Sequence, residues 1–301
     1  MYMFVGVQGR LTRPQPIDYG VTQGLMTALC GRYACLRSAV IGHSLLRREI
    51  SALIVGEDAD TRVLMAAAFH GPEWLTTLCA LRLCEEMCAH LQADLPLCGV
   101  PLARALRGRQ VWLVPLCNPD GVEIARYGSI AAGAYAATAA ATGADVPGWW
   151  RGNARGVDIN SNFNAGWAEM QALAQKSGKN CGESPESEPE TRVLADLCRR
   201  VSFRHVVALH TQGEEIYWRY GEHTPEQSHM MAQVLAAVSG YAVADPDENA
   251  SHGGFKDWFI DTFARPGLTL ELGLGQNPLP LRHFEAIYAK AREMLLLSVL
   301  L

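Results

Sequence analysis

Apolar runs and turn residues alternate along the chain and divide it into predicted strands and helices. Short runs of consecutive apolar residues, bounded by turns, are typical of strands that are buried on both faces. Stretches with an apolar residue at every third or fourth position are typical of helices. We predict strands at 37–45, 49–55, 62–69, 110–116, 205–209 and 267–272, and helices at 18–36, 74–91, 187–200, 225–239 and 281–300. This alternation predicts an α/β fold whose mostly parallel or mixed sheet has helices on both faces.

Capping residues define two of the predicted helix boundaries. Ser187 is expected to be the N-cap of one helix, because Glu190 follows at the spacing of a capping box. Thr224 is expected to cap another helix, with Pro225 at its first position and Gly240 after its last residue. Each of these signals predicts the first residue of its helix to within one position.

Two segments lack a periodic pattern. Residues 130–145 are rich in alanine and fit either a helix or a loop of small residues, with no assigned role. Residues 164–183 are predicted to be irregular. Neither segment has the composition of a linker, so residues 1–301 are expected to form a single catalytic domain.

Composition and charge narrow the possible functions. The 301 residues are 49% hydrophobic and 19% charged, as in ordinary globular proteins, and a net charge of −5 argues against a nucleic-acid partner. No apolar run reaches the ~20 residues that a membrane span needs, and residues 1–7 do not fit a signal peptide. The nine cysteines form no Cys-x-x-Cys pair and are expected to be reduced thiols, which favours the cytoplasm. The oligomeric state is left open.

Polar residues end four of the predicted strands or follow them closely. These residues are His70, Asn118, His210 and Glu271. Functional groups in open α/β sheets lie beyond the carboxyl ends of the strands, so we expect the four to share one edge of the sheet. With Glu73, the two histidines offer a donor set that binds zinc and leaves a fourth position open for water.

Glu271 is the candidate general base, since a further carboxylate beside the metal can accept the proton of that water. It lies at the end of an apolar strand, and partial burial would raise its pKa toward the working pH of a base. Each residue also has an ordinary structural interpretation. A lone histidine at a strand end usually forms a structural hydrogen bond, and a glutamate at a helix start is favoured by the helix dipole. The predicted common edge is what favours a metal site.

A polar loop at 151–163 is the candidate substrate-binding segment. It contains Arg151 and Arg155 together with three asparagines. Arginine binds carboxylates and stabilises a developing oxyanion. The alternative is a solvated loop rich in turns formed by asparagine and aspartate.

Taken together, these motifs resemble those of the zinc carboxypeptidase family, peptidase family M14, from about residue 18 to residue 295. The resemblance implies a carboxypeptidase-like mixed sheet of eight strands, one zinc ion, and hydrolysis of a peptide. The motifs that carry it, in chain order, are Ile41-Gly42-x-Ser44, Arg48-x-Ile50, His70-x-x-Glu73-Trp74, Asn118-Pro119-Asp120-Gly121, Gly156-Val157-Asp158-x-Asn160, Ser187-Glu188-Pro189-Glu190-Thr191, His210 and Glu271.

The resemblance also implies a role for single residues. The zinc ligands would be His70, Glu73 and His210, and Glu271 would be the general base. Arg151 would stabilise the oxyanion, with Arg155 as the alternative, and Asn160 would help to hold a carboxylate of the substrate.

The chain departs from the digestive members of that family at two places. Ser161 stands where they carry the arginine that binds a free C-terminal carboxylate. No tyrosine occurs at the usual substrate-clamping position before Gly253, where the residues are Asn249, Ala250 and Ser251. Removal of ordinary C-terminal residues is therefore disfavoured.

The segment 253–259 is similar to that of bacterial γ-D-glutamyl-diaminopimelate peptidases in the family. Lys256 falls where family members recognise the side chain after the scissile bond, and a cation there would favour the extra carboxylate of diaminopimelate. The alternative is a surface lysine that pairs with Asp257.

We therefore expect a zinc metallopeptidase that hydrolyses an amide bond of a bacterial cell-wall peptide. Its partner would be a peptide or muropeptide substrate. The alternatives are an ordinary metallocarboxypeptidase, which Ser161 disfavours, an amidoacylase of the same superfamily, which the 118–121 and 156–158 motifs disfavour, and a non-catalytic muropeptide-binding module of the same fold. The intact set of candidate ligands and base makes the binding module the weakest of these alternatives.

Overall fold

The computed structural model describes residues 9–177, 179–245 and 252–301. Its strands are β1 (Leu36–His43), β2 (Glu49–Val55), β3 (Thr61–Ala67), β4 (Arg109–Val114), β5 (Phe203–His210), β6 (Glu215–Tyr217), β7 (Ala242–Ala244) and β8 (Gly267–Glu271). Its helices are α1 (Tyr19–Arg32), α2 (Leu75–Ala93), α3 (Leu102–Ala105), α4 (Pro119–Tyr127), α5 (Ala136–Ala141), α6 (Trp167–Ser177), α7 (Pro189–Arg200), α8 (Glu226–Ser239), α9 (Phe255–Phe263) and α10 (Phe284–Ser298).

These strands form one mixed sheet of eight strands in the order β1-β2-β4-β3-β5-β8-β6-β7. The centre, from β4 through β3 and β5 to β8, is parallel. Antiparallel pairing adds β2 and β1 on one side and β6 on the other, and β7 is parallel to β6. The predicted fold class, an eight-stranded mixed sheet with helices on both faces, is confirmed.

Alternate residues of the central strands point to two separate cores, as the two-residue period of a strand requires. Val63 and Met65 of β3 belong to a core that α1, α2, α8 and α10 cover. Leu64 and Ala66 belong to a second core that α7 and α9 cover. We call this second side of the sheet the α9 face. Because both sides of these strands are buried, their sequences are continuously apolar.

Three of the predicted strand ends are wrong by two residues, and the first of these strands, β1, ends at His43. Strand β3 ends at Ala67 because the next residue, Ala68, adopts the left-handed region with φ 53°. Strand β4 ends at Val114, one residue before Pro115, which has no N–H to donate to a neighbouring strand. His70 and Asn118 therefore lie in the turns beyond the strands, whereas His210 and Glu271 are the last residues of β5 and β8.

The expected N-caps are also wrong. Helix α7 begins at Pro189 and no side chain caps it, because the hydroxyl of Ser187 donates to Glu188 and Glu190 accepts from the Leu45 N–H of another segment. In the same way, the hydroxyl of Thr224 accepts from the Tyr220 N–H and donates to the Tyr220 carbonyl instead of capping α8. The predicted end of α8 is confirmed, since Gly240 has φ 72°.

Several elements differ from the predicted pattern. Residues 164–183 contain α6 and are not irregular throughout. The alanine-rich segment forms a 3-10 turn, Ser129–Tyr135, followed by the short helix α5. The predicted elements omit β6 and β7, which have three residues each, and the helices α3, α4 and α9. Within the described ranges, the structure contains no helix that is both long and apolar enough to cross a bilayer.

Candidate active site

Three buried side chains converge beyond the carboxyl ends of β3 and β5. His70 and Glu73 lie in the turn between β3 and α2, and His210 is the last residue of β5. The Nδ1 atom of His70 is 2.8 Å from Glu73 Oε1, and the Nδ1 atom of His210 is 2.9 Å from Glu73 Oε2. All three side chains are at most 2% exposed.

The geometry of these donors fits one metal ion. The two Nδ1 atoms of His70 and His210 are 3.2 Å apart, and one donor atom from each of the three residues lies within 4.8 Å of the others. Two nitrogen ligands of a tetrahedral zinc ion, each at ~2.0–2.1 Å, are separated by about 3.3 Å. Two imidazoles and a carboxylate are also the donors that zinc prefers in hydrolytic sites. The three residues can therefore hold one zinc ion.

Asp158 fixes the orientation of the His70 ring. Its Oδ1 accepts a hydrogen bond from His70 Nε2 at 3.1 Å, which leaves Nδ1 of the ring as the atom that carries the lone pair. Burial acts against the charge of Asp158, but Lys179, His70 and Arg151 hold the pKa of this carboxyl well below its ordinary value. Asp158 is therefore an anion that would orient His70 toward a bound metal ion.

The surrounding charges shift the pKa values of His70 and Glu73 in opposite directions. Burial and the charge of Arg151 act to lower the pKa of His70, but the carboxylates of Glu73 and Asp158 outweigh them and raise it. Burial acts to raise the pKa of Glu73, but the two histidines lower it below its ordinary value. The carboxylate of Glu73 is thus ready to bind a cation, whereas His70 must be deprotonated at Nδ1 to do so.

The Asn118-Pro119-Asp120-Gly121 turn holds in place the turn that carries His70 and Glu73. The Asn118 amide donates to the carbonyls of Phe69 and Gly152, at 3.0 and 3.1 Å, and its oxygen accepts from the Gly121 N–H. Gly71 is required here because a Cβ atom would lie 2.3 Å from the Gly121 carbonyl oxygen. Asn118 therefore acts on the site through the backbone.

Arg151 lies at the margin of the site with its side chain about half exposed. Its Nε donates to Asp158 Oδ2 at 3.0 Å and its Nη1 donates to Glu73 Oε1 at 3.4 Å. Its Nη2 has no hydrogen-bond partner in the part of the chain that the structure describes. This arrangement holds the guanidinium beside the candidate metal ligands and leaves one nitrogen free to donate to a bound substrate.

Glu271 is the neighbour of His210 in the sheet, since the two residues are register partners at the ends of β8 and β5. Burial raises the pKa of Glu271 to about 7, and Glu73 adds to this effect, whereas His210 and Arg151 oppose it. A carboxylate with this pKa can accept a proton and later release it near neutral pH. Glu271 has both the position and the acidity that a general base requires.

Asn160 and Ser161 follow Asp158 in a short 3-10 turn. Asn160 Oδ1 accepts from the N–H of Phe255, the first residue of α9, at 2.9 Å, which fixes the orientation of the amide. The phenyl ring of Phe255 packs on Phe69, which stacks in turn on His210 at a centroid distance of 5.1 Å. Ser161 is fully buried, so its hydroxyl is shielded from solvent.

Two other expected substrate-binding residues are engaged in ion pairs. Arg155 binds Glu188 through two of its nitrogens, with Nη2 at 3.0 Å from both carboxylate oxygens. Lys256 is 5% exposed, and its ammonium group donates to Asp257 and to the Arg219 carbonyl. Neither cation is free in this arrangement. Residues 249–251, where the clamping tyrosine is absent from the sequence, lie outside the described residues.

The roles of two residues in this region are not predicted from the sequence. Asp158 is recognised only as part of a motif, and its position directly after the apolar Val157 is the one signal for a buried structural role. Glu215 faces Glu271 as its register partner across β6 and β8. The polar–apolar alternation of Glu215-Ile216-Tyr217 is the only sequence signal for this strand, and three residues are too few to identify it.

Comparisons with known proteins agree with this geometry. The zinc carboxypeptidase family model, peptidase family M14, matches residues 24–295. The chain is 34% identical to γ-D-glutamyl-L-diamino acid endopeptidase 1 of Lysinibacillus sphaericus, over 92% of this chain and 70% of that protein. Thrombin-activatable fibrinolysis inhibitor has a similar structure, with a TM-score of 0.76 and 17% identity over 97% of this chain and 76% of the other. Murein-tripeptide amidase of Escherichia coli O157 has a TM-score of 0.51 and 23% identity over 85% of this chain and 91% of the other. The two structural similarities show the fold.

Proposed function

Since this chain belongs to the zinc carboxypeptidase family, peptidase family M14, and is a zinc metallopeptidase, we propose that it cleaves bacterial cell-wall peptides at a γ-D-glutamyl–diaminopimelate bond or a similar amide. The observation that carries the proposal is the convergence of His70, Glu73 and His210 beside Glu271. The relative from Lysinibacillus sphaericus, named for a γ-D-glutamyl-L-diamino acid bond, supports the choice of substrate.

In the proposed mechanism, His70, Glu73 and His210 hold one zinc ion. When bound, zinc supplies a Lewis acid that polarises the scissile carbonyl and increases the acidity of a water molecule. Glu271 accepts the proton of the attacking water and transfers it to the leaving amine. Its pKa of about 7 without the metal suits both transfers, and a cation nearby would lower that value.

Arg151 and Asn160 position and stabilise the reacting amide. The guanidinium of Arg151 is fixed by Asp158 and has one nitrogen left to donate to the oxyanion. The amide oxygen of Asn160 is held by α9, which leaves its NH₂ group as the donor to a substrate carboxylate. Both residues are oriented before substrate arrives, which reduces the entropy lost on binding.

The residues around Ser161 support a substrate other than an ordinary peptide C-terminus. Ser161 is neutral and fully buried, so it offers no charge to a terminal carboxylate. Arg155 is paired with Glu188, and it is the second choice after Arg151 for the oxyanion. We propose that Lys256 binds the extra carboxylate of diaminopimelate. This carboxylate would compete with Asp257 for the ammonium group of Lys256.

Other properties of the chain are consistent with this proposal. We place the catalytic unit in one domain spanning residues 1–301, because His70 and Glu271 belong to the same sheet edge. The nine cysteines are unpaired in the structure, which supports a reducing compartment such as the cytoplasm. The net charge of −5 supports a peptide or muropeptide partner and not a nucleic acid.

A substrate panel tests the proposal. Zinc-loaded protein is incubated with defined muropeptides and with peptides that end in ordinary L-amino acids, and mass spectrometry locates each cut. We expect cleavage of the amide between D-glutamate and the diamino acid, and no cleavage after chelation of the metal. Stepwise loss of C-terminal residues from the ordinary peptides, with intact muropeptides, would overturn the proposal.

A further inference from the structure

Glu215 extends the row of functional side chains across a third strand. His210 of β5 pairs with Glu271 of β8, and Glu271 pairs with Glu215 of β6. Neighbouring strands lie about 4.8 Å apart, so the Cα atom of Glu215 is roughly 10 Å from that of His210. This places Glu215 one strand beyond the proposed base.

Glu215 points to the same side of the sheet as the active site. Its neighbour Ile216 is fully buried in the opposite core, as is Leu270 beside Glu271. Because successive side chains of a strand alternate between faces, Glu215 and Tyr217 lie on the α9 face together with Glu271. The carboxylate of Glu215 therefore borders the space that a bound substrate would occupy.

The charge of Glu215 has no counterion in the part of the chain that the structure describes. No lysine, arginine or histidine among those residues lies within 4.0 Å of its carboxylate, which is half-buried. Its Oε2 accepts a hydrogen bond from the Tyr217 hydroxyl at 2.5 Å, which fixes the group in place. A second carboxylate, Glu271, is directly opposite, and like charges in this position are destabilising. A cationic group of the substrate placed beside Glu215 would offset the repulsion between the two carboxylates.

We propose that Glu215 is a specificity-determining residue that binds the distal ammonium group of a diamino acid in the substrate. Lysine and diaminopimelate share this group, so the contact would select diamino acids as a class. The carboxylate accepts charge-assisted hydrogen bonds from the ammonium group, and the Tyr217 hydroxyl holds it in the orientation to do so. This inference rests on the proposed function, because it names the substrate class of the same site.

Two substrates that differ only in the ammonium group test the proposal. They are L-alanyl-γ-D-glutamyl-L-lysine and its analogue in which norleucine replaces lysine. Zinc-loaded wild-type protein is expected to cleave the lysine substrate with the higher kcat/KM. Glu215→Gln should reduce the ratio of the two values by about ten- to a hundredfold, the effect of losing one hydrogen bond to a charged group.

Glu214→Gln is the matched control. It removes the same charge from the neighbouring position, where Glu214 pairs with Lys290 of α10. It should leave the substrate ratio at the wild-type value. An equal loss on both substrates in Glu215→Gln, or an unchanged ratio, would overturn the role of Glu215.

The test separates this inference from the proposed function. If wild-type protein cleaves no γ-D-glutamyl bond, the proposed function fails, and the same comparison is made with an α-linked pair that ends in lysine or norleucine. If Glu215→Gln does not fold or loses zinc, the test is made with wild-type protein alone. Equal kcat/KM values of wild-type protein for the lysine and norleucine substrates would overturn the inference. As a binding readout, Glu271→Gln protein should bind the lysine substrate more tightly than the norleucine substrate.

Discussion

Glu271 is the residue whose chemical role depends most directly on its place in the sheet. It ends β8 beside His210, and burial raises its pKa to about 7. Replacement by glutamine keeps the shape of the side chain and removes its ability to accept a proton. We expect Glu271→Gln to reduce kcat by about 10²- to 10⁴-fold, the usual contribution of a general base.

This prediction is checked by steady-state kinetics together with the zinc content of the purified protein. The variant should retain one zinc ion per chain, because Glu271 is not one of the three converging donors. Turnover within tenfold of wild type, at full zinc content, would show that another group is the base.

Asp158 acts through His70, so its effect should be seen in metal affinity. The carboxylate accepts from His70 Nε2 at 3.1 Å and fixes which ring nitrogen is free. Asp158→Asn is expected to weaken zinc binding about 10- to 100-fold, the usual effect of losing such a partner. Competition with a chromophoric chelator measures this. Asp196→Asn, on the exposed surface of α7, serves as the control and should bind zinc as wild type does.

Single residues could be predicted where their type conflicts with their surroundings. His210 and Glu271 are polar residues at the ends of apolar strands, and this conflict identified them. The ion pair of Arg155 could not be predicted in the same way, whereas pairing of Lys256 with its neighbour Asp257 is the alternative that the sequence offers for this lysine. The partner of Arg155, Glu188, is 33 residues away in sequence, and only the fold brings the two together.

Among the elements, the turn at 118–121 holds two segments that are distant in sequence. Asn118 forms hydrogen bonds of 2.8–3.1 Å to Phe69, Gly152 and Gly121. Asn118→Ala leaves these buried backbone groups without partners, so we expect a loss of about 3 kcal/mol in the free energy of unfolding.

Urea denaturation measures this change. The exposed residue Asn180 offers the control, because its side chain accepts one hydrogen bond from the nearby Gly182 N–H. Asn180→Ala should cost less than about 0.5 kcal/mol. Similar losses in both variants would contradict a bridging role for the turn.

His205 links β5 to the end of α10 and predicts a pH dependence of stability. Its Nε2 donates to the Ser298 carbonyl at 2.7 Å, and burial lowers its pKa from 6.5 to about 4. The folded state binds this proton less readily than the unfolded state. The stability contributed by neutral His205 is therefore present above pH 6.5 and is lost as pH falls toward 4, by about 3 kcal/mol in total.

The difference between wild type and His205→Gln isolates this effect from that of other titrating groups. Glutamine can donate to the same carbonyl but does not titrate. The wild-type free energy of unfolding should fall relative to that of the variant between pH 6.5 and 4, as measured by urea denaturation. A constant difference across this range would rule out the assigned pKa.

Elements were predictable in proportion to their length and apolar content. The long apolar strands β3 and β5 are clear in the sequence because both of their faces are buried. Strands β6 and β7 have three residues each, and pairing alone defines them. The N-caps failed for another reason, since Ser187 and Glu190 bond to Glu188 and Leu45 instead of to their own helix. Tertiary contacts thus overrode a local signal.

At the scale of the whole molecule, the proposed zinc ion would connect residues from both halves of the chain. His70 and Glu73 lie 137 or more residues before His210, and the fold brings the three buried donors together. A ligand that binds only the folded state stabilises it by mass action. Saturation with zinc is expected to raise Tm by about 5 °C or more, relative to chelated protein.

Differential scanning calorimetry measures this shift. His210→Ala removes one of the three donors and should show little or no rise in Tm on addition of zinc. A shift of equal size in this variant would place the stabilising metal at a different site.

The row formed by His210, Glu271 and Glu215 runs from the interior of the sheet toward its margin. Strands β5 and β8 are enclosed on both sides, whereas β6 has only the three-residue β7 outside it. Exchange of Glu215 and Tyr217, whose side chains lie on the α9 face, would leave the core residue Ile216 between them in place. Protein engineers could therefore alter the substrate preference by substitutions on β6, while His210 and Glu271 on the enclosed strands stay unchanged.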